Sequence, residues 1–240
     1  MYLYYIRHGE PCSNPEGLTE LGHKQANALV SRTTYKGLDK VYSSPAVRAQ
    51  LTAEPTCKAL GIERQILDWA FEDTASQELS VINEEGKRCW IWQSESHRDL
   101  LNHPEVRKLD MKWYEHPFFA EYREKFESGT NRINKAVDAF MLEQGFEHNR
   151  ETGSYKVLRR NSERVGFFAH EGVGKIIMSS LLDIPYPLVT TRMEISHSSM
   201  IIIWFDETKE NVYPRLIQWS NDSHLFANGV STKFWNYLDI

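Results

Sequence analysis

The chain has 240 residues, with 33 Asp and Glu against 28 Lys and Arg, so its formal net charge is −5 at neutral pH. This mildly acidic balance, with scattered basic residues, excludes the basic excess typical of nucleic-acid-binding and membrane-surface proteins. The length fits one α/β domain, and we expect residues 1–240 to form a single domain with an insertion at about 73–161. No apolar run of about 18 residues occurs, so we expect a cytoplasmic protein without a membrane partner.

The first part of the chain alternates between strand and helix patterns. Thr19 can cap a helix, Pro45 fits the first turn of the next helix, and Gly61 can end it. Pro55 lies inside that second helical pattern, so we expect a kink or break there. The elements predicted are a strand at residues 1–7, a helix at 19–32, a strand at 40–43, a helix at 45–61 and a weaker strand at 64–68.

The stretch from about 73 to 161 is polar and rich in aromatic residues, and it lacks clear strand runs. Two helices are predicted within it, at 113–127 and 130–146. We interpret it as a mostly helical insertion packed over one end of a sheet. The elements predicted after it are a strand at 164–170, a helix ending near Pro185, and strands at 199–205 and 212–219. This alternation favours a three-layer α/β/α sandwich around a mainly parallel sheet.

The three cysteines are widely spaced, and the sequence has no Cys-x-x-Cys pair and no His-x-x-x-His spacing. An odd, sparse set of cysteines argues against a disulfide framework and is typical of a reducing compartment. We therefore predict no metal site and no cofactor. The oligomeric state stays open. The cysteines are Cys12, Cys57 and Cys89.

Polar residues suited to bind phosphate follow three of the predicted strands. In a parallel α/β sheet, ligands bind at the carboxyl ends of the strands, so we expect two histidines and two arginines to meet at one edge. A neutral imidazole can attack phosphorus, and guanidinium groups bind phosphoryl oxygens bidentately. The three segments are Arg7-His8-Gly9-Glu10, Ser43-Ser44-Pro45 with Arg48 in the next helix, and Ala169-His170-Glu171-Gly172.

These segments resemble, in order, the signature of the histidine phosphatase (phosphoglycerate mutase-like) superfamily. The resemblance covers about residues 1–72 and 163–226 and implies the α/β/α fold of that superfamily. The further matching residues are Leu18-Thr19-Glu20-Leu21-Gly22 with Gln25-Ala26, Ala49, Thr52-Ala53, and Asn221-Asp222-x-His224-Leu225.

The resemblance implies roles for individual residues. His8 would be the nucleophile that accepts the phosphoryl group. Arg7, Arg48 and His170 would bind the phosphoryl oxygens, and Asn14 falls where many members of the superfamily carry a phosphate-contacting Asn. His170 is thus expected both in the catalytic group and in the phosphate-binding group.

A proton donor to the leaving group is usually a Glu on a loop after the third strand in this superfamily. We choose Glu72, because it follows the strand candidate at 64–68 closely. Asp73 and Glu78 are alternatives. Glu171 is another, because phytase-like members place a catalytic Asp directly after the second histidine. Burial could raise the pKa of such a carboxyl group toward the working range.

The expected activity is metal-independent hydrolysis of a small phosphomonoester through a phosphohistidine on His8. Two alternatives remain: a phosphoglycerate mutase-like phosphotransferase, and a non-catalytic module that binds phosphorylated ligands. The short linker from Asn14 to Leu18 lacks the longer Trp-containing segment of phosphoglycerate mutases, which argues against the mutase.

Other residues have simpler interpretations. We expect a structural or substrate-side role for His197. For the aromatic residues of the insertion we favour a small core of their own over a pocket wall. Lys87-Arg88 and Arg159-Arg160 are interpreted as surface charge, although either pair could meet an anionic substrate. The aromatic residues are Trp90, Trp92, Trp113, Tyr114, Phe118 and Phe119.

Overall fold

The computed structural model describes residues 1–234 and residue 238. Its α-helices are α1 (Glu20–Lys36), α2 (Val47–Leu60), α3 (Glu72–Glu78), α4 (Glu95–Asn102), α5 (Pro104–Lys108), α6 (Arg123–Glu143), α7 (Gly172–Leu182), α8 (Tyr186–Arg192) and α9 (Ser223–Ala227). Its strands are β1 (Tyr2–Arg7), β2 (Pro11–Ser13), β3 (Glu16–Leu18), β4 (Lys40–Ser43), β5 (Arg64–Ile66), β6 (Ser80–Ile82), β7 (Arg88–Trp90), β8 (Phe146–Asn149), β9 (Ser154–Val157), β10 (Arg164–Ala169), β11 (Met200–Trp204), β12 (Asn211–Val212) and β13 (Arg215–Asn221). Short 3-10 helices lie at Asp68–Ala70, Ile91–Gln93, Asp110–Glu115 and Pro117–Phe119.

A six-stranded sheet forms the centre of the fold, in the order β13-β11-β1-β10-β4-β5. The pairs β1–β10, β10–β4 and β4–β5 are parallel, while β11 runs antiparallel to both β1 and β13. The buried apolar run of β10 is typical of a central parallel strand covered on both faces. The mainly parallel α/β sheet predicted from the sequence is confirmed.

Alternate residues of the central strands pack into two hydrophobic clusters. Ile6 and Phe168 lie in the cluster that includes Leu29 of α1 and Ala53 of α2. Their chain neighbours Tyr5 and Phe167 lie in the larger cluster on the opposite face, with side chains of α6 and α7. Because neighbouring side chains of a strand point to opposite faces, the sheet is covered by helices on both sides.

The early helices start and end close to the predicted places. The Thr19 hydroxyl accepts the Gly22 N–H at 3.0 Å and caps α1, which continues past residue 32 to Lys36. Helix α2 begins at Val47, and it ends at Gly61, whose φ of 68° is the left-handed conformation that glycine adopts readily. The predicted break at Pro55 is not present, because α2 is continuous through it.

The insertion differs from its prediction in two places. Instead of one helix over 113–127, a 3-10 helix ends at Glu115 and a second spans Pro117–Phe119. His116 between them is extended, as residues before proline are, and interrupts the helical path. Helix α6 is one continuous element instead of starting at 130. A Cβ built on Gly129 would lie 2.5 Å from the Cβ of Glu78, so α6 passes α3 closely at this point.

Small antiparallel sheets supplement these helices: β6 pairs with β7, and β8, β9 and β12 form a three-stranded sheet. The strand predicted over 212–219 is instead two strands, β12 in this three-stranded sheet and β13 in the central six-stranded sheet. Pro214 lies between them, and proline cannot donate to a ladder hydrogen bond. In residues 1–234 and 238, no helix is long and apolar enough to span a bilayer. The single-domain assignment stays a prediction.

Candidate active site

The ends of three adjacent strands bring the predicted site residues together. Arg7 of β1 lies opposite Ala169 of β10, and Phe168 lies opposite Ser43 of β4. The pairing continues one residue further, because the His8 N–H donates to the Ala169 carbonyl at 2.9 Å and the Ser44 N–H donates to the Phe168 carbonyl at 2.9 Å. His8, Ser44 and His170 therefore sit side by side at the carboxyl edge of the sheet, where ligands of α/β folds collect.

His8 is held in one tautomer. Its Nδ1 lies 2.7 Å from the carbonyl oxygen of Gly9, and because a carbonyl only accepts, Nδ1 carries the proton. Burial lowers the pKa of His8 well below its ordinary value, and the positive charge of Arg7 adds to this effect. The imidazole is therefore neutral at physiological pH, and its Nε2 lone pair is available to attack an electrophile.

His170 is fully buried, and its ring centroid lies 5.1 Å from that of His8. Its Nε2 lies 2.8 Å from the Ser44 hydroxyl, which itself accepts the Ala46 N–H at 3.3 Å. When the hydroxyl proton points to Nε2, the Nδ1 of His170 carries a hydrogen, and Nδ1 has no partner among the described residues. Burial, followed by the neighbouring His8 imidazole and the Arg48 guanidinium group, lowers the pKa of His170 well below its ordinary value. In that tautomer, His170 presents a neutral, unpaired N–H donor beside His8.

Two arginines line the same pocket, each fixed by an acidic partner. Arg7 is buried, and its Nη1 binds the Ile195 carbonyl and the Glu171 carboxylate, the latter at 2.9 Å. Arg48 Nη1 lies 2.9 Å from Glu16 Oε1. Both guanidinium groups are therefore pre-oriented near His8, as binding of a phosphoryl group requires.

Glu72 begins helix α3 and reaches the N-terminus of α7. Its Oε1 and Oε2 accept the N–H groups of Gly172 and Val173 at 3.0 and 2.7 Å. Burial raises the pKa of Glu72 to about 7, although these N–H donors and Arg48 favour the ionised form. A carboxyl group with this pKa can donate a proton at neutral pH and can also act as a base.

Glu171 also lines the pocket, but its charge is fixed. Its carboxylate lies 2.9 Å from Arg7 and 2.9 Å from the buried Lys175. Burial opposes ionisation, yet these two cations outweigh it and hold the pKa of Glu171 well below its ordinary value. Lys175 also contacts Glu194, at 3.1 Å, and burial followed by the neighbouring Glu171 raises the pKa of Glu194 above its ordinary value. Glu171 is ionised at neutral pH, which does not suit a proton donor.

The remaining acidic candidates lie outside the pocket wall. Asp73 is exposed, and Glu78 forms a two-point ion pair with Arg132, at 2.7 and 2.6 Å. Neither contributes to the lining of the pocket. Of the four carboxyl groups considered from the sequence, only Glu72 combines a pocket position with a raised pKa.

Asn14 is not brought to the site. The hairpin formed by β2 and β3 pairs Ser13 with Glu16, so Asn14 and Pro15 form its two-residue turn. Ser13 and Glu16 line the pocket, whereas Asn14 is exposed and does not. Its contact with phosphate stays a prediction from the resemblance.

His197 lies closer to the nucleophile than the sequence indicated. Its ring stacks on His8 with a centroid distance of 5.8 Å and an interplanar angle of 29°. It is 2% exposed, and both ring nitrogens lack a partner within the described part of the chain. Burial, with Arg7 and His8 adding to it, lowers its pKa strongly. The only signal in the sequence is its place just before β11, which pairs with β1.

The pocket has a volume of about 940 Å3 and extends from His8 to the insertion. Trp90 and Trp92 line it, so the expectation that they belong only to a core is wrong for these two. Three others are buried and do not line the pocket, but they lie in the main cluster and not in a separate core of the insertion: Trp113, Tyr114 and Phe119. In residues 1–234 and 238, no group of three or more His, Cys, Asp or Glu side chains is arranged to hold a metal ion.

Solved structures of phosphatases share this fold. A phosphoserine phosphatase mutant from Entamoeba histolytica, in complex with phosphoserine, is 16% identical, with a TM-score of 0.58 over 93% of this chain and 98% of that chain. A mycobacterial glucosyl-3-phosphoglycerate phosphatase with inorganic phosphate gives 18% identity and a TM-score of 0.56 over 93% and 98%. An alpha-ribazole phosphatase from Shigella flexneri gives 18% and 0.57 over 92% and 97%. At these identities the likeness shows the fold alone.

Sequence comparison extends the likeness to a family. A protein named "Putative phosphoserine phosphatase 2" from Hydrogenobacter thermophilus is 33% identical over 108 residues, which is 41% of this chain. The match spans 50% of that relative's length, so the chain covers about half of the curated relative it matches. The family model described as histidine phosphatase superfamily (branch 1) matches residues 3–222. Because that match covers most of the chain, the protein belongs to the histidine phosphatase superfamily.

Proposed function

We propose that the protein hydrolyses small phosphomonoesters without a metal ion, through a phosphohistidine intermediate on His8. The observation that carries this proposal is the pairing of His8, neutral with Nε2 unprotonated, with Glu72, a carboxyl group of pKa about 7, in one pocket. Membership of the superfamily and the phosphatase names of the similar proteins support it.

Phosphate binding is assigned to three side chains around His8. Arg7 and Arg48 supply fixed positive charge, and the unpaired Nδ1–H of His170 supplies a neutral donor. Charge spreads over three phosphoryl oxygens in the transition state, so catalysis depends on such pre-oriented donors. Burial lowers the pKa of His8, and the same cations add to this effect, so His8 stays neutral and nucleophilic.

The reaction proceeds in two displacements. The Nε2 of His8 attacks phosphorus, the bond from phosphorus to the ester oxygen breaks, and protonated Glu72 gives its proton to that oxygen. The Glu72 carboxylate then takes a proton from water, whose oxygen attacks the phosphohistidine. The bond from Nε2 to phosphorus breaks, inorganic phosphate leaves, and Glu72 is again protonated. Splitting one displacement into two lets a single carboxyl group serve as acid and then as base.

The substrate class is a small phosphorylated metabolite in the cytoplasm. The similar proteins are named for phosphoserine, glucosyl-3-phosphoglycerate and alpha-ribazole, which are all small molecules. The cysteines of the described residues are free, as is typical of a reducing compartment. The negative net charge of the chain argues against a nucleic acid as the substrate.

The test is hydrolysis of 4-nitrophenyl phosphate in the presence of EDTA, for the wild type, His8→Ala and the control His23→Ala. His23 is exposed on α1 and does not line the pocket. We expect phosphate release by the wild type and the control, and none by His8→Ala. Rapid quenching should trap a covalent phosphoryl group that acid removes and alkali preserves, because phosphohistidine is acid-labile.

Other results would point to the alternatives. Activity that EDTA abolishes, or that survives in His8→Ala, would contradict the proposed mechanism. Transfer of the phosphoryl group to a sugar-acid hydroxyl without phosphate release would support a phosphotransferase. Phosphate binding without turnover of any phosphomonoester would support a binding module.

A further inference from the structure

The pocket extends far beyond the residues assigned to the transferred phosphoryl group. Its volume of about 940 Å3 is near the top of the range of roughly 300–1,000 Å3 for ligand pockets. We call the part of the lining that includes His8, Arg48 and Glu72 the inner end. We call the part contributed by the insertion, from β7, the 3-10 helix after it and α4, the outer end. A leaving group of substantial size therefore fits between the two ends.

Trp90 connects the inner and outer ends of the pocket. A Cβ built on Gly172 would lie 2.2 Å from Cζ2 of Trp90 and 2.6 Å from Oε1 of Glu72, so the indole lies directly beside the Glu72 carboxyl group. Trp90 also stacks on Trp92, with a centroid distance of 4.6 Å. An alcohol group that accepts a proton from Glu72 therefore lies close to this indole, on which an apolar part of the substrate can pack.

Arg88 and Arg98 line the outer end of the pocket. Arg88 lies two residues before Trp90 on β7, so both side chains leave the same face of the strand. Arg98 lies in the first turn of α4, where its N–H donates to the Ser94 carbonyl. Neither guanidinium group makes an ion pair or donates a hydrogen bond to any described residue.

The two ends of the pocket therefore differ in charge compensation. At the inner end, Arg7 is paired with Glu171 and Arg48 is paired with Glu16, each at 2.9 Å. At the outer end, no carboxylate of the described residues lies within ion-pair distance of either arginine. Uncompensated guanidinium groups in a concave wall attract anions and bind carboxylate or phosphate oxygens in a forked geometry.

Building on the proposed phosphatase function, we propose that Arg88 and Arg98 form a subsite for a second anionic group on the leaving-group side of the substrate. The substrates are phosphomonoesters whose alcohol part carries a carboxylate or a further phosphate. The body of the alcohol part lies along Trp90, and its anionic end contacts the two arginines. The subsite selects the substrate and takes no part in breaking the ester bond.

The test measures binding with benzylphosphonates, which cannot be hydrolysed at their carbon–phosphorus bond. Calorimetry compares (4-carboxybenzyl)phosphonate with its neutral isostere, (4-carbamoylbenzyl)phosphonate, and includes xylylene bisphosphonate as a mimic of a second phosphate. We expect at least one of the two ligands with an anionic far end, the carboxylate or the second phosphonate, to bind about tenfold or more tightly than the neutral isostere. In Arg88→Gln combined with Arg98→Gln, that ratio should fall to about one. Arg160→Gln, an exposed arginine outside the pocket, should keep the wild-type ratio.

Three results would overturn the proposed subsite. The wild type could bind the charged and neutral ligands equally tightly, or the double variant could keep the wild-type affinity ratio. The third is a fall of that ratio in Arg160→Gln as large as the fall in the double variant. The better of the two charged ligands identifies whether the second anion is a carboxylate or a phosphate. Charge-dependent binding without hydrolysis of the corresponding phosphate esters would support the subsite and contradict the phosphatase. Hydrolysis that depends on His8, together with equal binding of charged and neutral ligands, would support the phosphatase and contradict the subsite.

Discussion

The carboxylate of Glu72 accepts the backbone N–H of Val173 at 2.7 Å. Helix α7 begins two residues after His170, so this bond ties the proposed proton donor to the segment that carries the phosphate-binding histidine. A helix N-terminus stabilises a negative charge, but burial of Glu72 outweighs this effect and raises its pKa to about 7. Helix capping and proton donation thus depend on the same side chain.

Glu72→Gln should slow reactions in which the leaving group needs a proton. We expect the rate of phenyl phosphate hydrolysis to fall about 100-fold or more, because an amide cannot act as a general acid. The loss should be smaller, about tenfold or less, with 4-nitrophenyl phosphate, whose leaving group is stable as an anion. The kcat/KM values of both esters measure this, because they report the first displacement and not the later hydrolysis of the phosphohistidine, in which Glu72 acts as the base. Asp73→Asn, an exposed neighbouring carboxylate, is the control. Equal losses on the two esters would rule out the donor role.

The pH dependence of phosphoenzyme formation should follow the same carboxyl group. The first displacement needs protonated Glu72, so its rate should fall as the pH rises through about 7. Since the pKa of His8 is held well below its ordinary value, His8 should add no protonation step just below neutral pH. Rapid-quench measurements with phenyl phosphate from pH 6 to 9 test this, and Glu72→Gln should lack the decline. A rate that rises across this range would contradict the assignment.

Gly22→Ala should destabilise the segment that carries His8. A Cβ on Gly22 would lie 2.2 Å from the Glu10 carbonyl oxygen, and one on Gly9 would lie 2.6 Å from the Gly22 carbonyl oxygen. Because the two backbone segments touch, the added methyl group should force them apart and lower the free energy of unfolding by about 2 kcal/mol. Activity should also fall, because His8 moves with its segment. In Gly17→Ala the new Cβ would lie 3.5 Å from Leu51, an ordinary contact, so urea unfolding should show a much smaller change. Similar unfolding midpoints for the two variants would argue against close contact between the backbone at Gly22 and the segment that follows His8.

Two central strands and the polar residues at their ends could be predicted from the sequence, because an apolar run that stops at a charged or polar residue is a clear sign of a buried strand. Residues 1–7 and 164–170 are such runs, and β1 and β10 occupy them almost completely. Their pairing could not be read from the pattern, because strands so far apart in sequence leave no local sign of being neighbours. The ordered motif of the superfamily supplied that information for His8 and His170.

Other features of the site depend on contacts that no short sequence window contains. Glu72 differs from Asp73 only through its contact with α7, which follows about 100 residues later. Trp90 lies on a three-residue strand, too short to show a period of two. His197 reaches His8 because β11 pairs with β1, and nothing in its own segment indicates that contact.

A histidine remote from the pocket should make stability depend on pH. The side chain of His148 is buried, with Nδ1 3.0 Å from Asp138 and Nε2 2.8 Å from Asp183, and its ring stacks on Tyr155 at 4.1 Å. Only an imidazolium donates from both nitrogens at once, so both contacts are hydrogen bonds in the protonated form alone. Burial disfavours that form, but the two carboxylates outweigh it and raise the pKa of His148 above its ordinary value.

Because the folded pKa lies above the unfolded value, the stabilisation by His148 is complete below pH 6.5 and is lost as the pH rises through the folded pKa. His148→Gln should therefore lose about 2 kcal/mol at pH 6, a figure reduced for the partial exposure of Asp138, and less at pH 9. Melting temperatures across this range measure the effect, with the exposed His23→Gln as the control. If the curves of the wild type and His148→Gln run parallel from pH 6 to 9, His148 does not bind its proton more tightly in the folded state.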